Sequence, residues 1–214
     1  NIYLQKQDIE NMRKALTVGE LLVTMAIIGV IAMLVLPSFL KDYHNKLYTV
    51  RLKKVYEMFT DAMERACTDN NVSYFNQTAY AKPNDAAGQQ KFIETYFKVS
   101  KKNGDAAFAN SYRKLNATNN DGASISSLIT GGKSKLQGGE SISLTCESAT
   151  ECVVMVDINS TDGPNIGGRD LFRFRIDTSK NIVMSHSDPA ECGTDIYGHG
   201  CLNRIIQDNW TMKY

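Results

Sequence analysis

The chain has 214 residues, with 24 Lys and Arg against 23 Asp and Glu, and a net charge of +1. That balance gives no electrostatic footprint for nucleic acid or for a strongly acidic partner, and it predicts a surface of mixed sign. The length allows one large domain, or an N-terminal segment followed by a domain of about 150 residues, enough to bury a core.

Residues 1–15 carry Lys6, Arg13 and Lys14 against Asp8 and Glu10, with the adjacent cations just before an apolar run. Cations at that edge hold it on the cytoplasmic side and place the C-terminal bulk outside. The run covers sixteen almost wholly apolar residues, 21–36, and lies between Glu20 and Pro37. A spanning helix needs about 20 apolar residues, and Leu16, Val18, Phe39 and Leu40 extend the run to that length. A lone carboxylate at its head costs about 2.5 kcal/mol or more on insertion. An ordinary single-pass anchor explains the apolar residues but not the glutamate. A secretory signal peptide fits poorly, because "VLPSFLKDY" offers no small-x-small cleavage site at the exit.

From Leu40 to Ala66 apolar residues recur at helical spacing, with Lys, Arg, Asp and Glu between them. One helix over residues 16 to about 67 is predicted, about 80 Å long, which Pro37 should bend or loosen. Phe92, Ile93, Tyr96 and Phe97 predict a short second helix. "NATNNDGAS" and "ITGGKSKLQGGE" read as loops. The Gly-Gly-Lys-Ser run lacks the first glycine and the preceding strand of a phosphate loop, so it reads as a solvated turn. Strands follow at "SISLT", "CVVMVDI", "LFRFRID" and "NIVMSH", the third alternating Phe172, Phe174 and Ile176 with Arg173, Arg175 and Asp177 as a half-buried strand does. "CLNRIIQDNWTMKY" reads as a short helix and a closing aromatic stretch. The fold class is α+β: a long N-terminal helix, membrane-spanning in its first half, packed on an antiparallel sheet.

Five cysteines suit an oxidising compartment. Cys146 and Cys152 flank "ESATE", Cys192 and Cys201 flank "GTDIYGHG", and neither pair has zinc-site spacing. Two short-loop disulfides are expected, with Cys67 left over, although the sequence alone permits other pairings. "DINSTDGPNIGGRD" sets Asp157, Asn159, Asp162, Asn165 and Asp170 around a glycine-rich loop. Calcium takes about six to eight oxygens, and this loop has oxygens to offer. It lacks the twelfth-position glutamate of an EF-hand, and the plainer reading is a turn held by side-chain bonds to backbone N–H groups. The turn reading is the stronger one. No cofactor is required by any motif. His44, His186 and His199 are scattered, and no hydrolase or metalloprotease motif is present, so an enzyme is not expected.

The stretch "KALTVGELLVTMAIIGVIAMLVLP" resembles the N-terminus of type IV prepilins and of type II secretion pseudopilins. Those proteins have a basic leader, a small residue at the cut, and a Phe-Thr-Leu-Ile-Glu start to a long apolar helix. Here Leu16 would be the first mature residue and Glu20 the fifth, and Pro37 falls at the twenty-second, where the family commonly has a proline. Ala15 stands for the usual Gly and Leu16 for the usual Phe, and Ala still suits a tight peptidase site. The resemblance covers only about Lys14 to Leu40.

It implies a leader at 1–15, a transmembrane and filament-core helix at 16–40, its amphipathic continuation at 41–68 and a globular head at 69–214. It implies cleavage between Ala15 and Leu16 by prepilin peptidase, N-methylation of Leu16, and pairing of Glu20 with a neighbour's Leu16 amine. The expected partners are other pilin subunits, an inner-membrane assembly platform and the lipid bilayer, with no nucleic acid. Major pseudopilins also carry a calcium loop in the head, which keeps the aspartate loop in view as a metal site. The expected location is the inner membrane with an extracytoplasmic head, in a pilus-like filament or secretion pseudopilus. The alternative is a membrane-tethered ligand-binding or enzymatic domain with an uncleaved anchor.

Overall fold

The computed structural model describes residues 17–100, 108–117, 122–185 and 188–214. A 52-residue helix, α1 (Val18–Asp69), is the first element among the described residues and continues through Pro37. By contacts the chain falls into two units that meet within this helix, Asn1–His44 and Asn45–Tyr214.

In the first unit the large apolar side chains between positions 21 and 40 are exposed, from 44 % at Leu21 to 76 % at Met33. A helix that is apolar on every side has no single face to turn to a core, so its natural surroundings are lipid or like helices. This helix is long and apolar enough to cross a membrane.

In the second unit the same helix becomes amphipathic. Leu52, Val55, Phe59, Met63 and Ala66 lie on one face and are fully buried. They pack against a five-stranded antiparallel sheet in the order β1 (Gly132–Lys135), β2 (Ser141–Cys146), β3 (Glu151–Asp157), β4 (Leu171–Asp177), β5 (Ile182–Ser185). Each strand pairs with its sequence neighbour, through short turns everywhere but between β3 and β4, which the longer segment 158–170 joins. Phe59 is the centre of the packing, with its ring 5.8 Å from Phe174 on β4 and 4.8 Å from Phe97. The fold is therefore α+β, a long N-terminal helix on an antiparallel sheet.

A second helix, α2 (Ala86–Tyr96), supplies Phe92, Ile93 and Tyr96 to the same core. Asp85 caps it by accepting from Gly88 N at 2.9 Å. A last short helix, α3 (Cys201–Gln207), buries Leu202 and Ile205.

Two expectations need correction. "GGKSK" is not a solvated loop but the edge strand β1, with Gly132 and Ser134 buried. Its composition is poor for a strand, yet α2 crosses it so closely that a Cβ at Gly132 would strike the backbone of Gln89 and Gln90. Gln90 secures the crossing, accepting from Lys133 N at 2.8 Å and donating to Ser134 Oγ at 3.1 Å. Nor is β4 half-buried. Its Phe172, Phe174 and Ile176 face the main core, while Leu171 joins Met155, Tyr112, Ile125 and Ile196 in a smaller core, and Arg173 is only 9 % exposed.

Candidate functional site

The head of the apolar helix has a local structure of its own. Thr17 Oγ1 accepts from Glu20 N at 3.2 Å, and the Glu20 carboxylate accepts from Thr17 N and Thr17 Oγ1, both at 2.9 Å. This reciprocal pair is a capping box, which satisfies N–H groups that the first turn of a helix leaves without partners. The signal was in the sequence as Thr-x-x-Glu before an apolar run, and Thr17 is the residue that the reading of Glu20 as a lone carboxylate passes over. Pro37 lies further along the same helix. Ala15 and Leu16 lie outside the described residues.

The aspartate loop joins β3 to β4 and brings its two terminal carboxylates together in the interior. Asp157 and Asp170 are both fully buried. Asp157 accepts from Tyr112 Oη and from Asn159 N, the latter at 3.1 Å. Asp170 accepts from Asn165 N and Ile166 N, both at 2.6 Å. Asn159 Nδ2 donates to the carbonyls of Asp162 and Gly163 at 2.6 and 2.8 Å. Burial pushes Asp157 up to about 7 against the pull of Tyr112, and burial also raises Asp170, against the backbone N–H groups of Ile166 and Asn165.

The loop's donor set does not suit calcium. Both buried carboxylates already hold the chain's own donors, and Asp162 is exposed. That leaves Asn159 Oδ1 and Asn165 Oδ1, buried amide oxygens without a hydrogen bond. Two neutral oxygens fall well short of a calcium shell. Among the described residues no group of three or more His, Cys, Asp or Glu is arranged to hold a metal. Asp157, Asn159, Asn165 and Asp170 serve the turn.

The cysteines pair as Cys146–Cys152 and Cys192–Cys201, with Cys67 free and buried. Cys146 and Cys152 are register partners across the β2–β3 hairpin. The second disulfide closes a loop that packs directly on the aspartate loop. Gly168, at φ +86°, leaves room for Cys201 Sγ where a Cβ would collide, and Tyr214 Oη donates to Gly168 O at 2.8 Å.

His199, inside the second disulfide loop, links that loop to the sheet. Its Nδ1 pairs with Asp195 Oδ2, and its Nε2 lies 2.8 Å from Arg173 Nη1 on β4. Arg173 in turn lies 3.8 Å from Glu147. A His–Asp pair suggests a general base, but the nitrogen that would address a nucleophile is turned to a guanidinium. The chain Asp195–His199–Arg173–Glu147 ties a loop to a strand.

Comparison with protein-family models, with characterised proteins and with solved structures finds no match for this chain.

Proposed function

We propose that the protein is a pilin-like structural subunit, processed at the Ala15–Leu16 bond and assembled through its apolar helix into a type IV pilus-like filament or a secretion pseudopilus. One observation carries the reading. A single unbroken helix is apolar on all sides and exposed over its first half, then becomes the core element of an α+β head. A filament uses both halves, the first for contact between subunits and the second to hold the head. The resemblance of residues 14–40 to prepilins supplies the rest, and the disulfides suit a head outside the cytoplasm. In this reading Glu20 serves twice, capping its own helix and meeting a neighbour's Leu16 amine in low dielectric, where each charge is costly alone.

A second reading, a membrane-tethered soluble domain, draws on the capping box, because Thr17 gives Glu20 a role that needs no neighbour. Mass spectrometry of the protein from membranes separates the two. The pilin reading expects an N-terminus at Leu16 bearing a methyl group, and expects Ala15→Arg to block processing, since a long cation cannot enter a small-residue site. An intact leader in cells with an active prepilin peptidase overturns it.

A further inference from the structure

A cavity of ≈ 520 Å³ lies between α1, the end of α2 and the turn from β1 to β2. Its size is that of a small-molecule site, which typically spans about 300–1,000 Å³. The apolar wall is made by Met58, Ala62, Leu136 and the ring of Tyr96.

Glu140 sets this cavity apart from an ordinary surface groove. It is only 3 % exposed, yet among the described residues its carboxylate has no hydrogen-bond or ion-pair partner. Its oxygens are not fully shut off but open onto the cavity that the residue lines, where a cation can reach them. The turn fixes it in place, with Leu136 N donating to Glu140 O at 2.7 Å. The carboxylate lies against Gly138, where any Cβ would strike it, and both residues line the cavity.

The mouth has the opposite character. Lys54, Arg65 and Lys98 are exposed there, against one carboxylate, Asp61. Arg65 is positioned over the Tyr96 ring, 5.5 Å from its centroid. A simple amine would have to pass three like charges to reach Glu140. A simple carboxylate would be held at the mouth and leave Glu140 as it was.

We infer that this cavity binds a small zwitterion with an apolar stem. The ammonium pairs with Glu140, the stem lies along Met58, Ala62, Leu136 and Tyr96, and the carboxylate stays with Lys54, Arg65 and Lys98. The site belongs to the head and is independent of how the apolar helix is used.

Three probes with one stem length test it on the full chain in detergent: δ-aminovalerate, valerate and pentylamine, by calorimetric titration. A charge-assisted hydrogen bond is large enough that δ-aminovalerate should bind at least about tenfold tighter than either singly charged probe. Glu140→Gln, which keeps the side chain's shape, should remove that advantage. Lys98→Gln, on the exposed rim, should weaken δ-aminovalerate while leaving the melting temperature unchanged. Should Glu140→Gln not fold, the rim variant decides alone. Equal affinities for all three probes, or undiminished δ-aminovalerate binding by Lys98→Gln, would overturn the proposal.

Discussion

Tyr112 donates its phenolic hydrogen bond to Asp157 with both residues fully buried. The same oxygen accepts from Ala109 N at 2.9 Å, so the tyrosine is fixed on both sides. Through this bond the smaller core, in which Tyr112 sits, is fastened to the end of β3 where the aspartate loop begins. Burial, with the Asp157 charge beside it, raises the tyrosine far above its ordinary range. Tyr112 therefore remains a donor at any ordinary pH.

The first consequence is a pH dependence. Asp157 is raised to about 7 by burial in the folded chain, above its ordinary unfolded value. The folded state thus holds the proton more tightly than the unfolded state does. Its contribution to stability is full below about pH 4 and is lost as the pH rises through about 7, amounting to a few kcal/mol on an order-of-magnitude basis. Asp170, also raised, acts in the same direction. Thermal melts should show stability from this pair falling across that window, and Asp157→Asn should flatten the slope. A wild-type slope identical to that of Asp157→Asn would count against it.

The aspartate loop should be indifferent to calcium. The carboxylates of Asp157 and Asp170 are held by Tyr112 and by three backbone N–H groups. Melting curves with excess calcium and with chelator should superimpose. Tyr112→Phe, which strips a buried carboxylate of its donor, should destabilise by about 1–3 kcal/mol under both conditions. A chelator-induced drop in melting temperature that Asp157→Ala removes would show that the loop binds the ion.

The C-terminal loop has two independent fastenings, and they should separate experimentally. Denatured, unreduced protein should show one reactive thiol, mapping to Cys67. Cys192→Ser with Cys201→Ser should cost about 2–3 kcal/mol, as expected for a short closed loop. His199→Ala removes one of the two partners of a largely buried guanidinium at Arg173, leaving Glu147, and should cost about 1–3 kcal/mol without changing the thiol count. More than one free thiol in His199→Ala would mean that the histidine acts through the disulfide and not through Arg173.

Hydropathy and period carried most of the fold. The apolar run and the stripe from Leu52 to Ala66 each report a burial pattern that the helical period converts into structure, and the alternation in β4 puts Phe172, Phe174 and Ile176 on the core face without exposing the other. Residues whose role depends on what crosses them were not legible. Gly132 and Ser134 read as a turn because their small size is explained only by α2 above them. Arg173 read as solvent-facing because the loop that buries it arrives from residues 195–199. Glu140 carried no local signal at all, since its isolation depends on α1, α2 and a turn meeting. Thr17 is legible and local, because Thr-x-x-Glu before an apolar run is a capping box in the sequence itself.

That capping box supplies the sharpest test of Glu20. Glutamine serves at the third helical position of a capping box as glutamate does, so Glu20→Gln keeps the reciprocal bonds with Thr17 and removes only the charge. Valine removes both. If the carboxylate acts only as a cap, Glu20→Gln should behave as wild type and Glu20→Val should lose the cap, a change of about 0.5–2 kcal/mol at the helix end. If it also meets a neighbour's amine in the filament core, Glu20→Gln leaves that ammonium without a counter-charge, at about 3–5 kcal/mol per contact. Assembly should then fail for Gln and Val alike, while Thr17→Ala, which breaks the cap and spares the charge, still assembles. Membrane level and head folding should stay normal in all three variants. Crosslinking through the helix and recovery of sheared filaments measure the outcome. Filaments at wild-type amounts from Glu20→Gln would reduce Glu20 to a helix cap and leave assembly to the apolar surface alone.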